Sequence, residues 1–298
     1  MTPESATGRA AAPRRFVLAL SCPDSSGIVA RISGALADLG GWIVEAGYHS
    51  DPDSGRFFTR QVITTEPDGP GLTRLREQFA AVATELGADQ WRVVDTTVRK
   101  KIVVLVGTEG HCLYELLSRW HAGALGADIE LVVSNHDTLE PVAELFSVPF
   151  RQVPMVGAAV EKDRAFAEVG ALVEAVEPDA VVLARFMQVV PPRWCQAWSG
   201  RLINIHHGFL PSFSGARPYQ QAHRRGVKLV GATCHYVTSE LDAGPIIDQD
   251  VIRVDHTETA AAMARRGRDI EKAVLARGLD YHLADRVLLD GQRTIVFG

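Results

Sequence analysis

The chain has 298 residues, 46% hydrophobic and 22% charged, with a formal net charge of −5. That length suits about two domains of ~150 residues each, and the composition excludes intrinsic disorder, a collagen-like repeat and a small disulfide scaffold. The acidic balance offers no basic surface to nucleic acid.

Residues 1–14 lack the apolar stretch of a secretory signal and read as a disordered tail. From Phe16, a short apolar run reads as a strand, followed from Gly27 to Gly40 by a helix with Ile28, Ile32, Leu36 and Leu39 on one face. Trp42 to Ser50 alternates as a strand, Asp51 to Gly55 supply a turn, and Arg56 to Thr65 returns as the second arm of a hairpin. An amphipathic helix over Leu72–Leu86 and a strand from Gln90 close the unit. The order is β-α-β-β-α-β over residues 15–98, the ferredoxin-like arrangement. A sheet this small has one bare face and an exposed edge, and pairing with a second copy is a common cover for both.

Arg99 to Lys101 marks a polar junction, after which the pattern changes. Apolar runs begin at Ile102, Ile129, Ala180 and Leu202, separated by helical segments at 113–122, 138–146, 162–176 and 191–199. Near-continuous apolar strands alternating with helices predict a doubly wound α/β domain over 99–298, with a parallel sheet covered on both faces. Strands from Leu229 and Pro245 and a helix over 258–285 follow. Cys22, Cys112, Cys195 and Cys234 have no Cys-x-x-Cys spacing and read as reduced thiols of a cytoplasmic protein. No apolar run reaches the ~20 residues that cross a bilayer, so no membrane partner is expected.

In an open α/β sheet the ligand sits at the carboxyl ends of the strands. One predicted strand, Leu202 to Ile205, runs into His206-His207-Gly208-Phe209-Leu210-Pro211. Alternation puts Asn204 and His206 on one side, an amide beside an imidazole, suited to a developing oxyanion; a strand-end turn with satisfied histidines is the structural alternative. Asp242 follows in a Gly- and Pro-containing loop between two strands. A carboxylate there could hold an imidazole or take a proton from water, or it could be a solvated turn residue. Gly107-Thr108-Glu109-Gly110 is neither a dinucleotide fingerprint nor a P-loop. Ser214-Gly215 is half of a serine-hydrolase elbow and follows no strand. Consecutive histidines on a strand point opposite ways, so a metal site is not expected.

These residues carry a resemblance. Asn204-Ile205-His206, Phe209-Leu210-Pro211, Gly231-Ala232-Thr233 and Asp242-Ala243-Gly244-Pro245-Ile246 resemble the formyltetrahydrofolate-dependent formyltransferases, and within them the deformylases. Cys22-Pro23-Asp24, Val133-Ser134-Asn135-His136, Leu183 through Gln188 and Gly267 through Lys272 extend the likeness from Phe16 to Phe297.

The resemblance implies hydrolysis of 10-formyltetrahydrofolate by water to tetrahydrofolate and formate, in one-carbon and purine metabolism, with no cofactor beyond the substrate. It places catalysis on Asn204, His206 and Asp242, and folate binding on Arg185, Phe186, Met187, Gln188, His207, Gly208 and Leu241. Arg185 and Arg217 are candidates for the anionic glutamate tail. His207 stands where amine-transferring relatives usually have Pro, and Gly208 where the motif commonly has Ser. The acidic Glu109 would repel a phosphorylated acceptor, which favours water. The first unit is implied to be an ACT domain in a homodimer or homotetramer, with glycine or methionine as effector at Asp24, Ser25 and Gly27. Ser25-Ser26 departs from the family's Asp-Arg-Pro-Gly loop, and these residues could instead cap the helix. Two other readings stay open: formyl transfer to an amine, and a binding regulator with a dead site.

Overall fold

Phe16, Leu18 and Leu20 recur at every second residue of β1 (Arg14–Pro23), and that alternation directs them to one face. There they meet Ile28, Ile32 and Leu36 of α1 (Ile28–Asp38). β2 (Trp42–Asp51) and β3 (Arg56–Thr65) form the hairpin, and α2 (Leu72–Glu85) adds Leu75 and Phe79 to the same core before β4 (Gln90–Asp95). The antiparallel sheet has the order β2-β3-β1-β4. Val17, Ala19, Phe58 and Val62 point to the sheet face away from the helices. The edge is open as expected, with Trp42 75%, Val44 50% and Tyr48 44% exposed along β2.

The structure, a computed structural model, describes residues 12–298 apart from Ser214 and Ala216. Residues 1–11, most of the expected tail, and Ser214 of the half elbow lie outside the described residues. The chain divides into two units, one running to Val98 and taking in Phe297 and Gly298, the other Arg99–Val296.

In the second unit β5 (Lys100–Val106) is apolar on both faces because both faces are covered. Ile102, Val104 and Val106 pack towards α3 (His111–His121), and Val103 and Leu105 pack with residues of the opposite layer. The chain continues through β6 (Ala127–Ser134), α4 (Glu140–Leu145), β7 (Phe150–Gln152), α5 (Ala159–Val176), β8 (Ala180–Ala184), α6 (Pro192–Ala197) and β9 (Leu202–His206). It then runs through α7 (Pro218–Arg225), β10 (Leu229–Tyr236), β11 (Ile246–Arg253), α8 (Ala260–Leu283) and the hairpin β12 (Val287–Asp290) and β13 (Arg293–Val296). The sheet order is β11-β10-β9-β8-β5-β6-β7. From β7 to β9 it is parallel, and β10 and β11 join antiparallel. The expected parallel sheet is therefore the central part of a mixed one. The chain leaves β5 towards β6 on one side and returns through α5 to β8 on the other, so the switch point lies between the carboxyl ends of β5 and β8.

Candidate active site

The antiparallel pairing of β9 with β10 builds the first half of the site. Thr233 lies opposite His206 and His235 opposite Asn204, and residues directly opposed across such a pair share a face. The Asn204 amide therefore meets the His235 ring, Nδ2 to Nε2 at 3.1 Å. His235 Nδ1 donates to the Tyr236 carbonyl at 2.8 Å, which leaves Nε2 as the acceptor and fixes the tautomer. Burial pushes the His235 pKa down, in keeping with a neutral ring. One N–H of Asn204 is thus held by His235 and the other is left for the cleft.

His206 is fixed by the turn that follows it. The Thr233 hydroxyl accepts from Leu210 N–H at 3.1 Å and donates to the Gly208 carbonyl at 2.8 Å. Gln249 Nε2 donates to the Leu210 carbonyl and to Thr233 Oγ1, both at 2.9 Å. The His206 ring, 4% exposed as a residue, then presents Nε2 to the Phe213 carbonyl and Nδ1 to Asp242 Oδ1, each at 3.3 Å. Both ring nitrogens thus lie near oxygen atoms.

Asp242 holds a left-handed backbone, φ 54°, in the loop between β10 and β11. Its Oδ2 accepts the Gly215 N–H at 3.0 Å while Oδ1 faces His206. Burial works to raise the Asp242 carboxyl, but the His206 and Gly215 hydrogen bonds outweigh it and hold the group below the usual carboxylate value. Asp242 is therefore a carboxylate at neutral pH.

These groups border one cleft of about 260 Å³, lined also by Met187, Gln188, His207 and Leu241. Met187, Val189 and Leu241 are 61%, 71% and 60% exposed and give it an apolar lip. Both Arg185 and Met187 have positive φ, 65° and 58°, a strained loop of the kind that collects at ligand sites.

Arg185 and Phe186 line the cleft as well, although the Phe186 ring is 2% exposed and packs edge-on against Phe166; Gly208 and Arg217 do not. Gly208 borders a smaller hollow with Tyr219 and Phe209 and not the cleft. A Cβ on Gly208 would lie 2.8 Å from His206 Nε2, so the missing side chain gives the imidazole its room. Arg185 is turned inward, its side chain only 12% exposed with Nε 3.4 Å from Glu271 Oε2, and is not offered to an anionic tail. Arg217 is exposed before α7 and does not border the cleft. In the first unit, Asp24, Ser25 and Gly27 are exposed, and α1 begins without a side-chain cap, so the helix-cap alternative does not hold.

The residues that sequence reasoning missed are His235, Thr233, Gln249 and Glu271. Glu271, 1% exposed on α8, accepts from Tyr219 Oη and His111 Nε2, both at 2.8 Å. Burial works to raise its carboxyl, yet the His111 hydrogen bond and the Arg185 charge hold it below the usual value. His111, Cys112 and Glu271 bring possible metal-ligand atoms within 4.8 Å of one another. His111 Nε2 and Glu271 already engage each other there, and the Arg185 cation beside them opposes a second cation. His207 lies between the two groups, ring centroids 5.4 Å from His206 and 6.0 Å from Tyr219. Burial and the Arg185 charge push its pKa down to about 3, so it is neutral.

The formyl transferase family profile matches residues 100–279. A formyltetrahydrofolate deformylase of Bacillus subtilis is 43% identical over 94% of this chain and 93% of its own length. A crystal structure of a formyltetrahydrofolate deformylase from Pseudomonas syringae superposes with a TM-score of 0.92 at 50% identity, covering 96% of this chain and 95% of that one. Another, from Burkholderia mallei, does so with a TM-score of 0.89 at 42% identity, covering 96% and 100%.

Proposed function

The chain belongs to the formyltetrahydrofolate deformylases, and from that premise we propose that Asn204, His206 and Asp242 hydrolyse 10-formyltetrahydrofolate to tetrahydrofolate and formate. The observation that carries the assignment is the convergence of an amide N–H, an imidazole and a carboxylate on one cleft. Asn204, and His206 Nε2 once released from its long contact with the Phe213 carbonyl, polarise the formyl oxygen and hold the oxyanion. The carboxylate of Asp242, low enough in pKa to stay ionised, orients His206 and draws a proton from the attacking water. The water oxygen bonds to the formyl carbon, the carbonyl pair moves onto oxygen, and on collapse the C–N10 bond breaks. N10 leaves with the proton the water gave up, and the formic acid left behind loses its hydroxyl proton to solvent as formate. The scheme needs no metal and no nucleotide.

Met187, Gln188, His207 and Leu241 would bind the folate, with the apolar lip suited to a flat pterin. We further infer a cytoplasmic protein, supported by four free cysteines, all buried. No helix is long and apolar enough to cross a membrane among the described residues. The first unit is inferred to pair with a second copy through the exposed edge of β2, in a dimer or tetramer, and to take glycine or methionine at the accessible loop Asp24–Gly27.

The test is product analysis in amine-free buffer. Formate and tetrahydrofolate are expected in equal amounts, and strict dependence on an added amine would return the transferase reading.

A further inference from the structure

The attacking water carries two hydrogens, and Asp242 draws off only one. We propose that His207 positions this water, by accepting its second hydrogen in a hydrogen bond while the first goes to Asp242. This inference rests on the hydrolase reading and deepens it, because it gives the second substrate, water, a residue of its own.

An O–H enclosed in a cleft without an acceptor is unfavourable, and a water in that state turns away from its line of attack. His207 supplies the acceptor in the right place. It follows β9, and its ring borders the cleft. The ring centroid lies 5.4 Å from that of His206, with the planes at 42°, and His206 in turn contacts Asp242. The other two imidazoles of the cleft are engaged. Those of His206 face Asp242 and the Phe213 carbonyl, and those of His235 meet Asn204 and the Tyr236 carbonyl. Among the described residues no hydrogen bond holds either ring nitrogen of His207, and neither nitrogen is sealed from solvent. A neutral imidazole keeps one of its nitrogens as an acceptor.

The surroundings of His207 fix the ring and keep it unprotonated. Tyr219 lies against it, ring centroids 6.0 Å apart with the planes at 48°, and the Tyr219 hydroxyl donates to the buried Glu271 at 2.8 Å. Gly267 makes room for that arrangement, since a Cβ there would lie 1.9 Å from the Tyr219 hydroxyl. Protonation would convert the acceptor nitrogen of His207 into a second donor and leave the water hydrogen unmet. The charged groups acting on the ring are Arg185 after β8, Glu271 on α8, the neighbouring His206 and Asp242 of the β10–β11 loop. Burial, Arg185 and His206 oppose the proton, the two carboxylates favour it, and the outcome is a pKa of about 3. Arg185, turned inward with Nε 3.4 Å from Glu271, thus helps to keep His207 neutral. No proton passes to His207. The first hydrogen of the water reaches N10 by way of Asp242, and the second stays on the hydroxyl of formic acid until solvent takes it.

The experiment uses the full chain as wild type, His207→Leu, His207→Asn and His207→Gln, with 10-formyltetrahydrofolate in amine-free buffer. Formate release gives kcat and KM for each variant, with folding verified. His207→Leu lacks the acceptor and is expected to lower kcat about 10- to 100-fold with KM changed less than about threefold, as for a misplaced reactant. Asn and Gln carry a neutral carbonyl oxygen to the places of Nδ1 and Nε2 respectively, and the faster of the two should exceed His207→Leu about fivefold or more. A pH profile supplies a second reading. Arg185→Gln leaves the Glu271 charge acting on His207, so the His207 pKa should rise and the acid limb of kcat should move to higher pH than in wild type. Arg185→Gln/His207→Gln should lose that displacement. If His207→Leu does not fold, the pH pair decides alone.

A folded His207→Leu with the kcat of wild type would overturn the proposal, as would a change in KM alone, the mark of a folate contact. Equal rates in His207→Leu, His207→Asn and His207→Gln would also overturn it, and so would an acid limb displaced equally with and without His207. Wild type releasing no formate would instead refute the hydrolase reading.

Discussion

Two sets of polar side chains stand at the carboxyl ends of one sheet and are built in opposite ways. At the end of β9, Asn204 keeps an amide N–H for an open cleft, and His206 contacts its acceptors at a long 3.3 Å. At the ends of β5 and β8, Glu271 draws two donors to 2.8 Å and is 1% exposed. Burial and perturbed titration occur in both, so neither marks a working group by itself. What separates them is access: the first set borders an open cleft, and the Glu271 carboxylate does not. The first set is arranged to act and the second to hold.

The comparison can be broken most sharply at Asn204. Asn204→Ala should lower kcat for formate release about 100- to 1000-fold, because an aimed oxyanion donor is lost, with little change in KM. An equal effect on KM alone would make Asn204 a binding residue. His235→Phe should cost less, about 100-fold at most, since it frees the amide to turn without removing it. The double variant Asn204→Ala/His235→Phe should be no slower than Asn204→Ala alone, because both changes act through one donor. Additive losses in that cycle would give His235 an independent role.

Smaller effects concern stability. Thr233→Val should cost about 1–3 kcal/mol in urea unfolding by stranding Leu210 N–H and Gln249, and a cost near zero would mean that the turn after His206 is held by other means. On the buried side, the Glu271 carboxyl is depressed below its usual value. Its stabilisation is therefore present in full above the unfolded value of about 4.3 and is lost as pH falls through the lower folded value. The urea stability gap between wild type and Glu271→Gln should stay level from about pH 8 to 5 and narrow only below about 4. A gap that closes between pH 7 and 6 would show a raised carboxyl and a different network.

Asn204 and His206 were legible because period-two alternation fixes a shared face within one strand. Asp242 was legible as a carboxylate in a Gly- and Pro-bounded loop between apolar strands. His235 was not, since its role depends on the register that places it opposite Asn204 across 31 residues of chain. The inward turn of the Arg185 side chain was not legible, because an arginine beside a predicted cleft reads as exposed until its buried partner is known. The signal for that partner was present: Gly267, Glu271, Val274, Leu275, Gly278 and Leu279 share the buried stripe of α8, and a lone carboxylate on such a stripe demands a pairing. The central parallel strands followed from their apolar runs. The antiparallel additions β10 and β11 were legible as strands, but direction is set by pairing, which the runs do not encode.

The most direct measurement is single-turnover formate release by wild type and Asp242→Asn in amine-free buffer, with folding verified for both. Formate from wild type should appear in step with tetrahydrofolate, and Asp242→Asn should be slower by about 100-fold or more, the ordinary worth of a positioned base. Full-rate formate release by Asp242→Asn would contradict the catalytic assignment.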